Sequence, residues 1–367
     1  MSKSGKPVTT IKPADQSPEG QLRDVLTDIH SFIARARQQA STAVNAAQTY
    51  LYWRIGQRIH TELLGSERAL YGAQIVATLS RQLTHEYGRG FAEKNLRRMV
   101  QLAQAYPDEQ LVVTLLRQLS WSHFLALLPL NKPYQRDFYA EMCRVEGWSV
   151  RTLRERIDSM LYERTALSKQ PDALIQQELA SLRSKSEVAP ILVLKDPYLL
   201  DFLGLSERFL ERDLEDAILR ELETFLLELG SGFSFVARQK RIQLDGDDFY
   251  IDLLFYNRKL KRLVVVELKQ GSFKPEYKGQ MELYLRWLAK FETEVDENPP
   301  LGIILCAGKN SEQIELLEMN ASGIHVAEYL TVLPPPEVLH RKLHEAIETA
   351  RARIDAKKGD AGQETAA

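Results

Sequence analysis

Val264-Val265-Val266-Glu267-Leu268-Lys269 is the stretch that decides how this 367-residue chain is read. Side chains alternate across a β-strand, so Glu267 and Lys269 share one face while Val266 and Leu268 share the other. A strand this apolar is central in its sheet, where a charged pair at its end is unusual. Upstream, Tyr250-Ile251-Asp252-Leu253-Leu254-Phe255 sets one acid inside a second apolar run. The charged turn Asn257 to Arg262 joins the two runs as a hairpin, so Asp252 and Glu267 can lie side by side. Two carboxylates converging at a sheet edge make a hard, oxygen-rich site that suits Mg²⁺. A nearby lysine can orient a water or offset charge developing on a phosphate, which is what metal-assisted phosphodiester hydrolysis needs. A Glu and a Lys two apart on a strand more often mark a solvated face. Asp252 at the right pairing distance, with the cost of unpaired buried charge, favours the metal site.

Working outward, Phe233 to Leu244, Phe249 to Tyr256 and Leu263 to Leu268 read as a three-strand meander. A helix from Glu276 to Lys290 follows, then a strand Leu301 to Cys306, a helix Ser311 to Met319, a short strand Ile324 to Ala327 and a terminal helix from Pro336. One helix precedes the meander, centred on Leu210 to Leu229 and closed by Gly230. This order predicts a mixed sheet flanked by helices. Between about Leu22 and Leu167 every segment reads as helix, with apolar residues at three- and four-residue spacing: Val25, Ile29, Phe32 and Ile33, and later Leu153, Ile157, Met160 and Leu161. The fold class is α+β, an all-helical N-terminal domain followed by an α/β domain with a central mixed sheet. Residues 1–20 are expected as a disordered tail, 21–167 as the helical domain, 168–190 as a polar connector with room for some helix, 191–355 as the sheet domain and 356–367 as a second tail.

Composition excludes several classes. No stretch approaches a membrane span, and Met1 to Gly20 lacks the apolar segment of a signal peptide. Only two cysteines occur, Cys143 and Cys306, with no metal-ligand spacing and no disulfide framework; a cytoplasmic protein is expected. No Walker loop, dinucleotide fingerprint, Ser-His-Asp order or internal repeat is present. Formal net charge is -2, yet Gln21 to Thr165 holds 19 Lys+Arg against 14 Asp+Glu, and Arg238 to Lys290 holds 12 against 7. Two basic segments suit a polyanionic partner.

Asp252, followed 15 residues later by Glu267-Leu268-Lys269, resembles the signature of the PD-(D/E)XK nucleases. Phe225-Leu-Leu-Glu-Leu-Gly-Ser-Gly-Phe233, Tyr250-Ile-Asp-Leu-Leu-Phe-Tyr-Asn257 and Gly279-Gln280 are similar to one bacterial branch, the YhcG-like family. Tyr52-Trp-Arg-Ile-Gly56, Tyr71-Gly72, Leu119-Ser-Trp-Ser-His123 and Leu161-Tyr-Glu-Arg164 match the same family's other domain, so the resemblance covers most of the chain. It implies a restriction-endonuclease-like core and Mg²⁺-dependent DNA cleavage, with Mn²⁺ substituting, and a role in defence against foreign DNA or in mobile-element biology. Asp252 and Glu267 correspond to the metal-binding acids and Lys269 to the motif's lysine; Ile251 stands where the signature has proline. Such nucleases carry a further glutamate on the helix before the sheet. Glu215 is the choice, with Glu211 and Glu221 as rivals and an ordinary solvated helix acid as the alternative. Gln280 and Tyr284 share one helical face and resemble a glutamine-tyrosine motif of this superfamily.

Arg258 in the basic turn, with Lys274 and Lys278, could hold DNA phosphates beside the site; a charged hairpin tip guarding an edge strand is the alternative. In the helical domain, Gly72 to Tyr87, Gly88-Arg89-Gly90 and Ala92 to Ala105 form a helix–turn–helix-sized unit. Lys94, Arg97 and Arg98 lie near the start of its second helix, where a recognition helix meets DNA. Contact with a protein partner is the competing reading. Trp53, Trp121, His123 and Trp148 read as packing residues. The expectation is a Mg²⁺-dependent deoxyribonuclease. A catalytically silent DNA-binding scaffold and an RNA-cleaving enzyme are its rivals, and dimerisation is compatible with the sequence.

Overall fold

The structure, a computed structural model, describes residues 18–61, 69–185, 188–205, 210–244, 246–332 and 334–364. Most of the expected N-terminal tail therefore lies outside the described residues. The chain divides into two compact units, with the boundary between Leu128 and Pro129.

The first unit is helical, with α1 (Pro18–Ile59), α2 (Ala69–Tyr87), α3 (Glu93–Ala105), α4 (Glu109–Leu115) and α5 (Trp121–Leu127). Tyr52 and Ile59 of α1 pack with Leu96 and Met99 of α3. Gly56 makes that approach possible: a side-chain carbon there would stand 1.9 Å from the Met99 carbonyl oxygen. The Trp53 indole donates to the Tyr106 carbonyl at 2.8 Å, so the Tyr52-to-Gly56 segment is the seam between the two helices. His123 is a packing residue, receiving the Ser120 backbone N–H at 3.1 Å to cap α5. The periodic residues at the start of α1 are not a buried face. Val25, Ile29, Phe32 and Ile33 are all exposed, Phe32 by 61%.

The second unit opens with α6 (Pro133–Glu146), α7 (Val150–Asp158), α8 (Leu161–Arg164), α9 (Asp172–Lys185) and α10 (Pro190–Val193). The stretch expected as a polar connector thus carries a 14-residue helix. Its Ile175, Leu179 and Leu182 recur at helical spacing and are buried, which outweighs the polar residues on its other face.

A six-stranded sheet follows, built from β1 (Tyr198–Leu199), β2 (Phe233–Leu244), β3 (Asp247–Asn257), β4 (Arg262–Ser272), β5 (Leu301–Gly308) and β6 (Ile324–Leu330) in the order β1-β6-β5-β4-β3-β2. The meander β2-β3-β4 is antiparallel; β5 and β6 extend it in parallel from β4. β1 has only two residues and carries no periodic signal of its own. The expected single helix before the sheet is two, α11 (Glu211–Arg220) and α12 (Leu222–Leu229), broken at Glu221. Gly230 caps α12 with φ 120°. The remaining helices are α13 (Glu276–Phe291), α14 (Ser311–Leu316) and α15 (Pro336–Glu364), so the expected C-terminal tail is helical backbone as far as Glu364.

Alternation along the strands builds two cores. Leu253, Phe255, Val264, Val266 and Leu268 pack on Leu214, Ile218, Phe225 and Leu229 of α11 and α12. Ile251, Leu254, Val265 and Ile304 pack on Met281, Tyr284, Leu285 and Leu288 of α13. Glu267 interrupts this apolar sheet near its middle and is only 3% exposed.

Candidate active site

The hairpin ladder between β3 and β4 runs from Asn257 opposite Arg262 to Leu253 opposite Val266, and there the pairing ends. Beyond it, β3 stays with β2 and β4 with β5. The next pair in register is Asp252 and Glu267, and their carboxylates replace the ladder. The Asp252 backbone N–H donates to Glu267 Oε1 at 3.1 Å. The Leu268 N–H donates to Asp252 Oδ2 at 3.0 Å. Both acids are therefore satisfied by backbone donors that a neighbouring strand would otherwise use.

Lys269 Nζ lies 3.2 Å from Glu267 Oε2 and 3.5 Å from Glu211 Oε1, and 5.4 Å from the centre of the Tyr277 ring. From the other side, Gln239 of β2 donates its amide to Glu215 Oε2 at 2.9 Å and to Asp252 Oδ1 at 3.1 Å. Arg238 Nε holds the second Glu215 oxygen at 2.5 Å. Arg238 also holds Asp216 at 2.7 Å, so five carboxylates from α11, β3 and β4 converge on one lysine, one arginine and one glutamine.

Electrostatics follow from burial. Desolvation, then the Asp252 charge beside it, pushes Glu267 up to about 7. Burial pulls the Lys269 ammonium down, but Glu267, Asp252 and Glu211 outweigh it and raise it above its ordinary value. The lysine stays a cation.

Among the described residues, no group of three or more His, Cys, Asp or Glu is arranged to hold a metal ion by itself. Asp252 and Glu267 nevertheless fit a hard divalent cation: both are oxygen donors, and the buried pair resists carrying two negative charges without compensation. Glu215 is buried and faces this cluster, but Gln239 and Arg238 occupy both its oxygens. A cation taking Asp252 and Glu267 would complete its shell with water and phosphate oxygens, as Mg²⁺ commonly does.

Of the other candidates, Glu211 touches the lysine, while Glu221 is exposed where α11 ends. Gln280 donates to the Tyr284 hydroxyl at 2.6 Å, and that buried hydroxyl donates to the Tyr250 carbonyl at 3.0 Å. Tyr284 is thus a core residue that fixes Gln280 and does not face solvent. Arg258 is exposed in the turn at the closed end of the hairpin. It lies six positions along the chain from Asp252, about 20 Å of extended strand, so it is not beside the acids. Lys274 pairs with Glu276 at 3.6 Å and Lys278 with Glu282 at 3.4 Å. Lys94, Arg97 and Arg98 belong to the first unit, where Arg97 pairs with Glu93 at 2.6 Å. Sequence reasoning missed Gln239 and Arg238, which sit in a polar run that reads as a solvated strand face.

This sheet, with an Asp and a Glu-x-Lys on adjacent strands, is the arrangement of the PD-(D/E)XK nucleases, and comparison with known proteins establishes that class. Residues 191–344 match the family model of the YhcG PDDEXK nuclease domain, and residues 28–164 match the DUF1016 N-terminal domain. The chain is 35% identical over 343 residues to "Putative nuclease YhcG" of Escherichia coli (strain K12), covering 85% of this chain and 91% of that one. The chain therefore belongs to the YhcG family of PDDEXK nucleases. A repair endonuclease from Pyrococcus abyssi is 23% identical over 35% of this chain and 50% of its own, with a TM-score of 0.24. The EndoMS–dsDNA2 complex is 21% identical over 36% of this chain and 48% of its own, with a TM-score of 0.25. These scores are too low to support a residue correspondence.

Proposed function

We propose that this protein is a divalent-metal-dependent deoxyribonuclease, with Mg²⁺ as the working cation and Mn²⁺ able to replace it. The observation that carries the reading is the interlocked pair Asp252 and Glu267 at the end of the β3–β4 ladder, with the Lys269 amine 3.2 Å from Glu267.

Asp252 and Glu267 would hold the cation, with Glu215 available if Gln239 yields. When bound, the cation supplies Lewis-acid stabilisation of charge on the phosphate oxygens. The chain's own groups do the rest. Lys269, held as a cation by three carboxylates, would offset negative charge that develops on the phosphate or orient the attacking water. The backbone bonds to Asp252 and Glu267 keep both carboxylates in place before substrate arrives. Gln280, braced by Tyr284, sits on the helix that covers this end of the sheet.

Residues 28–164, matched by the second family model, would act as the targeting half. Lys94 and Arg97, exposed on α3, and Arg98 would contact phosphates, with Lys274 and Lys278 closer along the chain to the acids. The two free, buried cysteines, Cys143 and Cys306, suit a reducing cytoplasm. The test is incubation of purified protein with plasmid, single-stranded DNA and RNA, each with Mg²⁺, Mn²⁺ or EDTA. Metal-dependent cleavage of DNA is expected. Cleavage of RNA alone, or of nothing with any metal, overturns the proposal.

A further inference from the structure

Helix α1 has 42 residues, about 63 Å of helix, and its apolar residues Tyr52, Trp53 and Ile59 are buried only toward its C-terminal end. Nearer its start, Val25, Leu26, Ile29, Phe32 and Ile33 are exposed together. Their spacing is a heptad. With Ile29 at position a, Val25 and Phe32 fall at d and Leu26 and Ile33 at e. The same register continues through Ala36 and Ala43 at a, Gln39 and Ala46 at d, and Tyr50 at a. Gln39, Ala43, Ala46 and Tyr50 line a groove of about 620 Å³ whose far wall is Val113 and Leu116. An exposed apolar stripe and an open groove therefore lie on one continuous seam, which is half of a coiled coil.

Charge selects the other half. In an antiparallel coiled coil, a residues meet d residues and the flanking g residues face each other. Setting Ile29 against the partner's Phe32 brings Asp28 at g opposite the partner's Arg35 at g, and two-fold symmetry makes that ion pair twice. The same register packs Val25 on the partner's Ala36 and Leu26 on the partner's Ile33. A parallel pair would instead set Asp28 beside the partner's Ile33 and leave both charges unanswered. We propose that α1 pairs with α1 of a second copy as an antiparallel, two-fold coiled coil centred between His30 and Ser31. This inference is independent of the nuclease reading.

The test is sedimentation equilibrium of the full chain at low salt over a wide concentration range. Wild type is expected to be dimeric. Asp28→Arg and Arg35→Asp each convert both ion pairs into like-charge contacts, and each should weaken the dimer about tenfold or more. The double variant D28R/R35D should restore it, because the pairs re-form with their signs exchanged. Phe32→Glu should abolish the dimer. All these positions are exposed, so circular dichroism should be unchanged in every variant. A wild type that stays monomeric at all concentrations overturns the proposal and leaves the seam for another protein's helix. Single variants without effect, or a double variant that fails to restore association, overturn it equally.

Discussion

The Asp252 amide donates to the Glu267 carboxylate, 3.1 Å away, where the two strands cease to pair. The Leu268 amide returns the bond to Asp252 at 3.0 Å. Each acid therefore acts as a strand terminator and as a candidate metal ligand at once. Backbone donors hold both carboxylates in place.

If these acids and Lys269 form the reactive centre, Asp252→Ala, Glu267→Ala and Lys269→Ala should each lower cleavage by at least about 100-fold. DNA affinity should stay nearly unchanged, since it rests on Lys and Arg elsewhere. Plasmid nicking and fluorescence anisotropy, run on the same preparations, separate the two. Wild type and Asp252→Ala that behave alike on every substrate would sink the enzymatic reading.

Glu267 makes stability depend on pH. Its folded value, about 7, lies above its ordinary 4.5, so between these values the folded state keeps a proton that the unfolded chain has lost. The sign follows: its contribution is complete below about 4.5 and disappears as pH rises through about 7. The loss is on the order of 3 kcal/mol. With chelator present, the unfolding midpoint should fall from pH 5 to pH 8 more in wild type than in Glu267→Gln. Excess Mg²⁺ at pH 8 should recover it, because the cation favours the ionised pair. Equal slopes in the two proteins would refute this assignment.

Gln239 ties Glu215 to Asp252 through one amide group. Gln239→Ala should weaken metal affinity by about 10–100-fold, the range for groups that orient ligands, with little change in kcat at saturating metal. A kcat loss at every metal concentration would make Gln239 a direct participant.

Arg164 is fully buried and meets Glu228 at 2.5 Å, while Lys195 lies 3.3 Å from the same carboxylate. Arg164 ends the segment matched by the N-terminal family model, whereas Glu228 lies within the nuclease match. Glu228→Ala leaves the buried Arg164 cation without its carboxylate, beside a Lys195 amine that burial already pulls down to about 7, and should cost about 3–5 kcal/mol by urea unfolding. A fragment beginning at Pro129 should fold, and one beginning at Pro190 should be markedly weaker. Equal stability of the two fragments would assign the pair no structural role.

Arg97→Ala with Arg98→Ala tests the targeting half. DNA affinity should drop, and the slope of log affinity against log salt should shrink by about one unit for each phosphate that is no longer neutralised. An unchanged slope would redirect α3 to a protein partner.

The order of strands and helices from Phe233 onward was legible in the sequence, because alternation of period two and a recurrence near 3.6 are properties of neighbouring residues. Asp252, Glu267 and Lys269 stood out for a related reason: a charge inside an apolar run is costly, so it marks a function or a partner. The sheet domain's α11 and α12 read as one helix, since the break at Glu221 has no local breaker residue. The helix at 172–185 was legible only as partial helix within a connector, because polar residues cover its outer face.

What the sequence by itself determined is which residues share a face, and hence that an Asp and a Glu-x-Lys would sit together on a central hairpin. Only the tertiary structure decided what meets that face. Gln239 stands opposite Asp252 through strand register, with a left-handed φ of 45°, and links it to Glu215 on a helix 24 residues away. The stripe on α1 has the periodicity of a core and is exposed. Periodicity is set by bonds along the chain, whereas the partner of a face is set by loop closure and packing between distant segments, which no local pattern encodes.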